Sequence, residues 1–226
     1  MLIRSTGLFV ALLLWASSAA ALLISPIITG ADMAGINVTA FYNGGSQSAI
    51  WAMTSSNAGV PEGEGFAGAA SGTGWSLGQQ GYTEGNLSLL NPGQVLGAWT
   101  LTNGTGFSIT SVQIDALVAG IVFDNLFGSE GTPGSSTGRA FLPESPSASA
   151  IYAAPFSAPD LFGSMTITFA NGGLASGTSM RFLADTDAVV PEPATLFLFA
   201  VGLLGVLLAR TRRPGVNDYQ AVGQSS

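Results

Sequence analysis

Asp185 and Asp187 stand two residues apart in the run Phe182-Leu-Ala-Asp-Thr-Asp187. On an extended strand that spacing brings both carboxylates out on one face. Calcium takes about six to eight oxygen ligands, and carboxylates at strand ends are a common source of them. Asp124, followed by Asn125 at the end of another strand-like run, adds to the set, so Asp124, Asp185 and Asp187 form a candidate calcium site. The competing reading makes them solvated carboxylates at the end of the last strand, since the spacing is not that of an EF-hand.

Trp51, Trp75 and Trp99 are the next group that could do chemistry, as a platform on which sugar rings stack. Large aromatics in a small β domain more often fill the core. Trp51 and Trp99 sit on or beside strand-like runs and read as core. Trp75, between Gly74 and Ser76 after a Gly-rich stretch, is expected to be exposed and is the stacking candidate. Catalysis would have to use carboxylates. The chain has no His and no Cys, and its 6 basic residues are all Arg, which removes zinc sites, thiol or imidazole nucleophile pairs and lysine Schiff bases. Glu62, Glu64, Glu84, Glu130 and Glu144 lie mostly in Gly- or Pro-rich stretches that hold carboxylates poorly for reaction. The expectation is therefore no enzyme, with a carboxylate-based glycan hydrolase as the less favoured alternative. A net charge of −7 excludes a nucleic-acid partner.

These residues must be positioned by strands. Ile36, Val38, Ala40 and Tyr42 alternate with Asn37, Thr39 and Phe41, a period of two, and Asn43-Gly44-Gly45-Ser46 supplies a tight turn before a second run from Gln47 to Thr54. Further strand-like runs occur at Gly97–Thr102, Ser108–Leu117, Gly120–Asp124, Ala148–Ala153, Met165–Phe169 and Met180–Ala184. Asn57–Gly74 and Gly128–Ser147 read as long surface loops. The fold class expected is all-β, an antiparallel β-sandwich or jelly roll occupying residues 22–190. Edge strands of so acidic a domain are expected to resist self-pairing through like charge, which calcium would reverse, so assembly stays open.

Both ends of the chain read as addresses. Arg4, the apolar stretch Gly7–Trp15 and the small residues up to Ala21 have the layout of a secretory signal peptide over residues 1–21, cut by signal peptidase before Leu22. At the other end, Pro191, Glu192 and Pro193 precede an apolar run, residues 194–209, and then Arg210, Arg212 and Arg213. As a helix the run measures about 24 Å, short for a hydrocarbon core of about 30 Å, and the arginines extend it by snorkelling. The positive-inside rule puts them in the cytoplasm with the polar tail 214–226, and residues 22–190 outside.

The Pro-Glu-Pro tripeptide, short hydrophobic helix and Arg cluster, in that order over residues 191–213, resemble the PEP-CTERM sorting signal of Gram-negative bacterial surface proteins. The resemblance implies recognition by an exosortase through Pro191, Glu192 and Pro193, with processing near the motif. It also implies a setting at the cell surface or in the exopolysaccharide matrix of biofilm-forming cells. The function expected is that of a non-enzymatic, structural or adhesive exported protein. A carbohydrate-binding module of the same matrix is the alternative.

Overall fold

The computed structural model of the chain describes residues 23–25, 28–56, 65–83, 97–126, 132, 138–145, 147–157, 159–190 and 202–205. The chain divides into two compact units, one spanning Leu22–Val190 and the other made of 1–21 with 191–226. In the second of these, residues 202–205 form a helical turn. No helix among the described residues is long and apolar enough to cross a membrane. The expected signal peptide and most of the expected membrane helix lie outside the described residues.

The first unit is built from β strands that pair antiparallel throughout. In chain order they are β1 Leu23–Ser25, β2 Asn37–Tyr42, β3 Gly45–Ile50, β4 Ala52–Ser56, β5 Phe66–Gly72, β6 Trp75–Gln80 and β7 Trp99–Asn103. Then come β8 Ile109–Asp115, β9 Ile121–Asp124, β10 Leu142–Pro143, β11 Ala148–Ser157, β12 Leu161–Phe169, β13 Thr178–Leu183 and β14 Asp185–Val190. One 8-stranded sheet runs β1-β14-β9-β12-β8-β2-β3, with β11 also on β12. A 6-stranded sheet runs β10-β13-β7-β6-β5-β4.

The period-two reading is realised where side chains alternate between core and solvent. Val38 and Ala40 of β2 are buried, as are Trp75, Leu77 and Gln79 of β6 and the odd-numbered residues of β12. The hairpin expected at Asn43-Gly44 forms, with Tyr42 opposite Gly45. The second run does not continue as one strand. It breaks at Trp51, whose N–H donates to Ile36 O at 2.8 Å and whose carbonyl accepts from Gly35 N at 2.9 Å. β3 therefore ends in the larger sheet and β4 begins in the smaller one. Residues 66–74, expected as part of a loop, are strand and turn instead. The small side chains of Phe66–Gly72 carry little apolar signal, yet its backbone is paired on both sides, to β4 and to β6. β10 likewise falls inside the stretch expected as a loop at 128–147.

One buried cluster draws on both sheets and joins them. Trp99 of β7 is at its centre: its ring lies 5.2 Å from that of Trp51, 5.7 Å from Phe182 and 6.2 Å from Phe123 on the other sheet. Buried indoles need an acceptor for their N–H. Trp99 Nε1 donates to Ala184 O at 3.0 Å, and Trp51 Nε1 to Gly30 O at 2.7 Å. A Cβ on Gly68 would fall on both Gly30 O and Trp51 Nε1, so only glycine lets β5 pass this bond.

Gly68→Ala is expected to lower stability by about 2–4 kcal/mol, through overpacking and disruption of the Trp51 bond. Urea unfolding should show a lower midpoint with an unchanged slope. An unaltered midpoint would contradict this packing.

Candidate functional site

The acidic residues singled out above converge on one end of the larger sheet. β9 and β14 are neighbours there, and their register sets Asp124 opposite Asp185, with Asp187 opposite Val122. All three aspartates are buried, between 0% and 1% exposed. They are enclosed, not the solvated strand-end carboxylates of the competing reading. Among the described residues no group of three or more acidic side chains is placed to hold a metal ion. Asp124 and Asp185 each accept from a separate donor. Asp124 Oδ1 accepts the N–H of Leu126 at 3.0 Å, and Asp185 Oδ1 lies 3.3 Å from the hydroxyl of Thr83, which also reaches Thr186 O at 3.0 Å. The spacing thus brings the three expected carboxylates together in a buried polar region between β9 and β14.

The segment 138–140 is held against these strands by its backbone. Arg139 N donates to Asp124 O at 2.9 Å, and Asp185 N donates to Arg139 O at 3.2 Å. A Cβ on Gly138 would fall onto the Asp124 carboxylate, so the close approach requires glycine. A fourth buried acid, Asp160, was not singled out from the sequence. Its two oxygens accept the N–H of Thr132 at 2.8 Å and the Thr132 hydroxyl at 2.7 Å, and its carbonyl accepts Asn125 N at 3.2 Å. The pattern Pro159-Asp160 marks a turn but does not reveal a partner 28 residues away.

Tyr152 of β11 completes the region. Its ring sits 6.0 Å from Phe123 and 5.5 Å from Phe162, and its hydroxyl oxygen accepts the N–H of Phe141 at 2.6 Å. Burial pushes its pKa up to about 12, the nearby charges of Asp185 and Asp124 add to the rise, and the Phe141 bond opposes it. The phenol stays un-ionised across the physiological range.

The other candidates fare differently. Trp75 is 3% exposed, part of the core cluster, with its Nε1 donating to Gln47 Oε1 at 3.2 Å. The stacking role expected of it fails because its ring faces inward on β6. The Gly-rich stretch before it is a paired strand and not a loop that would lift it into solvent. Glu144 is tied to Arg181, its Oε2 accepting from Nε at 2.9 Å and its Oε1 from the backbone N–H at 2.8 Å. Glu62, Glu64, Glu84 and Glu130 lie outside the described residues, as do Pro191, Glu192, Pro193, Arg210, Arg212 and Arg213.

The sheet hands over to the sorting residues without a spacer. Val190, the last residue of β14, is paired with Leu23, and Val189 N donates to Gly120 O at 2.7 Å. The family model of the PEP-CTERM protein-sorting motif matches residues 189–213, so its first two residues are these last two of the sheet. The motif implies export, sorting to the cell surface and processing by an exosortase. No curated protein and no solved structure matches the chain.

Two outcomes test this region. Because the folded pKa of Tyr152 lies above its unfolded value near 10, its contribution is intact below pH 10 and is lost as pH rises toward 12. Unfolding midpoints should fall across that window by up to about 3 kcal/mol in stability, and Tyr152→Phe should flatten the fall. Gly138→Ala should cost about 2–3 kcal/mol by pressing on Asp124, read as a lower melting temperature. A variant melting like the parent would show that the segment can move away.

Proposed function

We propose that this chain is a non-enzymatic exported protein whose β-sandwich ectodomain, residues 22–190, takes a structural or adhesive place in the cell envelope. The extracellular polysaccharide matrix of a Gram-negative bacterium is the wider setting. Signal peptidase removes residues 1–21, the apolar run 194–209 holds the chain in the membrane with Arg210, Arg212 and Arg213 inside, and an exosortase then acts at Pro191-Glu192-Pro193. The single observation that carries the reading is the sorting motif abutting the final strand of a well-packed domain. The domain arrives at the processing point already closed, because β14 is paired with β9 from Asp185 to Ala188 and with β1 from Ala188 to Val190.

Two features support the non-enzymatic reading. Asp124, Asp160 and Asp185 are buried and accept from protein donors, and Glu144 is committed to Arg181. The inward ring of Trp75 removes the observation that favoured a sugar-stacking module. Contacts with exopolysaccharide would then be made by the polar surface of the strands and loops, without a built aromatic platform.

The test is the mature form. In a host with the sorting system, mass spectrometry of surface-released protein should find an amino terminus at Leu22 and a carboxyl terminus near Pro193. Peptides from the surface form that still carry Arg210 to Arg213 would overturn the processing step.

A further inference from the structure

Three elements meet where the chain leaves the domain. The end of β14 lies beside the short 3-10 helix Leu117–Ala119: Val189 N donates to Gly120 O at 2.7 Å, and Ala188 is paired with Ile121. Gly35, on the approach to β2, lies against the same helix, so that a Cβ there would fall 3.4 Å from the Cβ of Ala119. Val118 and Ile50, the last residue of β3, border one hollow of about 490 Å³ together with Gly35 and Asn37. Large apolar side chains stay exposed at this place. Ile50 is 71% exposed, Val118 64% and Leu117 37%, and no residue of the helix is buried. The stretches 33–56, 116–123 and 188–190 that build the surface contain no charged residue. Asp115, half-buried at the end of β8, borders it. A single exposed apolar residue needs no explanation, whereas a gathered and uncharged patch marks a contact.

We infer that this patch rests on the surface of the lipid bilayer until the chain is processed. The tether selects the occupant. Only Pro191, Glu192 and Pro193 separate β14 from the apolar run 194–209, a reach of at most about 14 Å. The inference rests on the reading above, in which that run enters the membrane. The end of β14 is then confined to the neighbourhood of the lipid headgroups, and the surface beside it is confined with it. Ile50, Val118 and Leu117 exchange water for the boundary between headgroups and acyl chains. So few side chains bind lipid weakly by themselves. The contact therefore depends on the high effective concentration that a short tether provides, and it ends when the run is cut away. While it lasts, it holds the domain in one orientation on the membrane.

The chain has no cysteine of its own, so a single one can carry a label. Val118→Cys and, as control, Thr102→Cys, an exposed position on β7 of the smaller sheet, are made in the full chain and coupled to an environment-sensitive fluorophore. The protein comes from a host without the sorting system and is reconstituted in phosphatidylcholine vesicles, with and without nitroxide-labelled phosphatidylcholine. Flotation reports whether the membrane holds the chain. In floating protein the nitroxide lipid should quench the Val118 label about twofold more than the Thr102 label. Adding Ile50→Glu should bring that quenching down to the control level. Equal quenching at the two positions would overturn the inference and leave the sorting reading standing, as would quenching that Ile50→Glu leaves in place. A Val118 label that is blue-shifted yet unquenched would overturn it in favour of a protein cover, such as a second copy. Protein that fails to float would overturn the membrane step of the reading above, and this inference with it.

Discussion

An indole buried in protein brings one N–H that must find an acceptor, and this domain buries three indoles. Trp99 bonds the carbonyl of Ala184 between β13 and β14, Trp51 bonds the carbonyl of Gly30, and Trp75 bonds the side chain of Gln47. Each bond crosses between elements far apart in sequence, so each fixes a tertiary relationship while it satisfies a polar atom. Leaving one unmade would cost about 1–3 kcal/mol, a large share of the stability of a domain this size. The rest of the architecture accommodates these contacts. Trp51 breaks the edge strand into β3 and β4, Gly68 clears a path beside its nitrogen, and Trp99 brings aromatic rings of the two sheets together.

The second organising feature is polar. Four aspartates are buried in the region of β9, β12 and β14, where the chain between strands must be tied back to the sheet. Backbone N–H groups and threonine hydroxyls do the tying: Leu126 on Asp124, Thr83 on Asp185 and Thr132 on Asp160. Carboxylates held this way act as anchors for irregular backbone, which has no ladder of its own. The same enclosure that makes them good anchors removes them from solvent.

Much of the fold was legible in the sequence because alternation and turn chemistry agree there. Val38 and Ala40 point inward as the pattern required, and Asn43-Gly44 turns the first hairpin. β5 was hidden because Ala67, Gly68, Ala69 and Ala70 carry almost no hydrophobic contrast, and pairing on both flanks makes them a strand that sends only the small side chain of Ala70 into the core cluster. Trp75 was misplaced for the same reason: a neighbourhood that reads as loop is sheet, and its ring turns inward. The aspartates were found by type and spacing, but their burial was not. Burial depends on Thr83, Gly138 and Thr132, whose proximity is a matter of topology. The sorting signal was readable outright, since its three parts lie in order along one short stretch and need no tertiary structure to be recognised.

The first strand of the domain, β1, finds its partner in the last, β14, with Leu23 opposite Val190. A polypeptide crossing a membrane from its amino end presents β1 first and must keep it waiting until nearly all of the domain has followed. Closure of that seam is thus the final stitch of folding, and it cannot form on a truncated translation product. The seam also sets Leu23, near the start of the domain, beside Val190, where the chain passes into the sorting motif. A pull on the chain beyond Val190 would load β14 along its length, where its bonds to β9 and β1 resist in shear instead of opening one at a time.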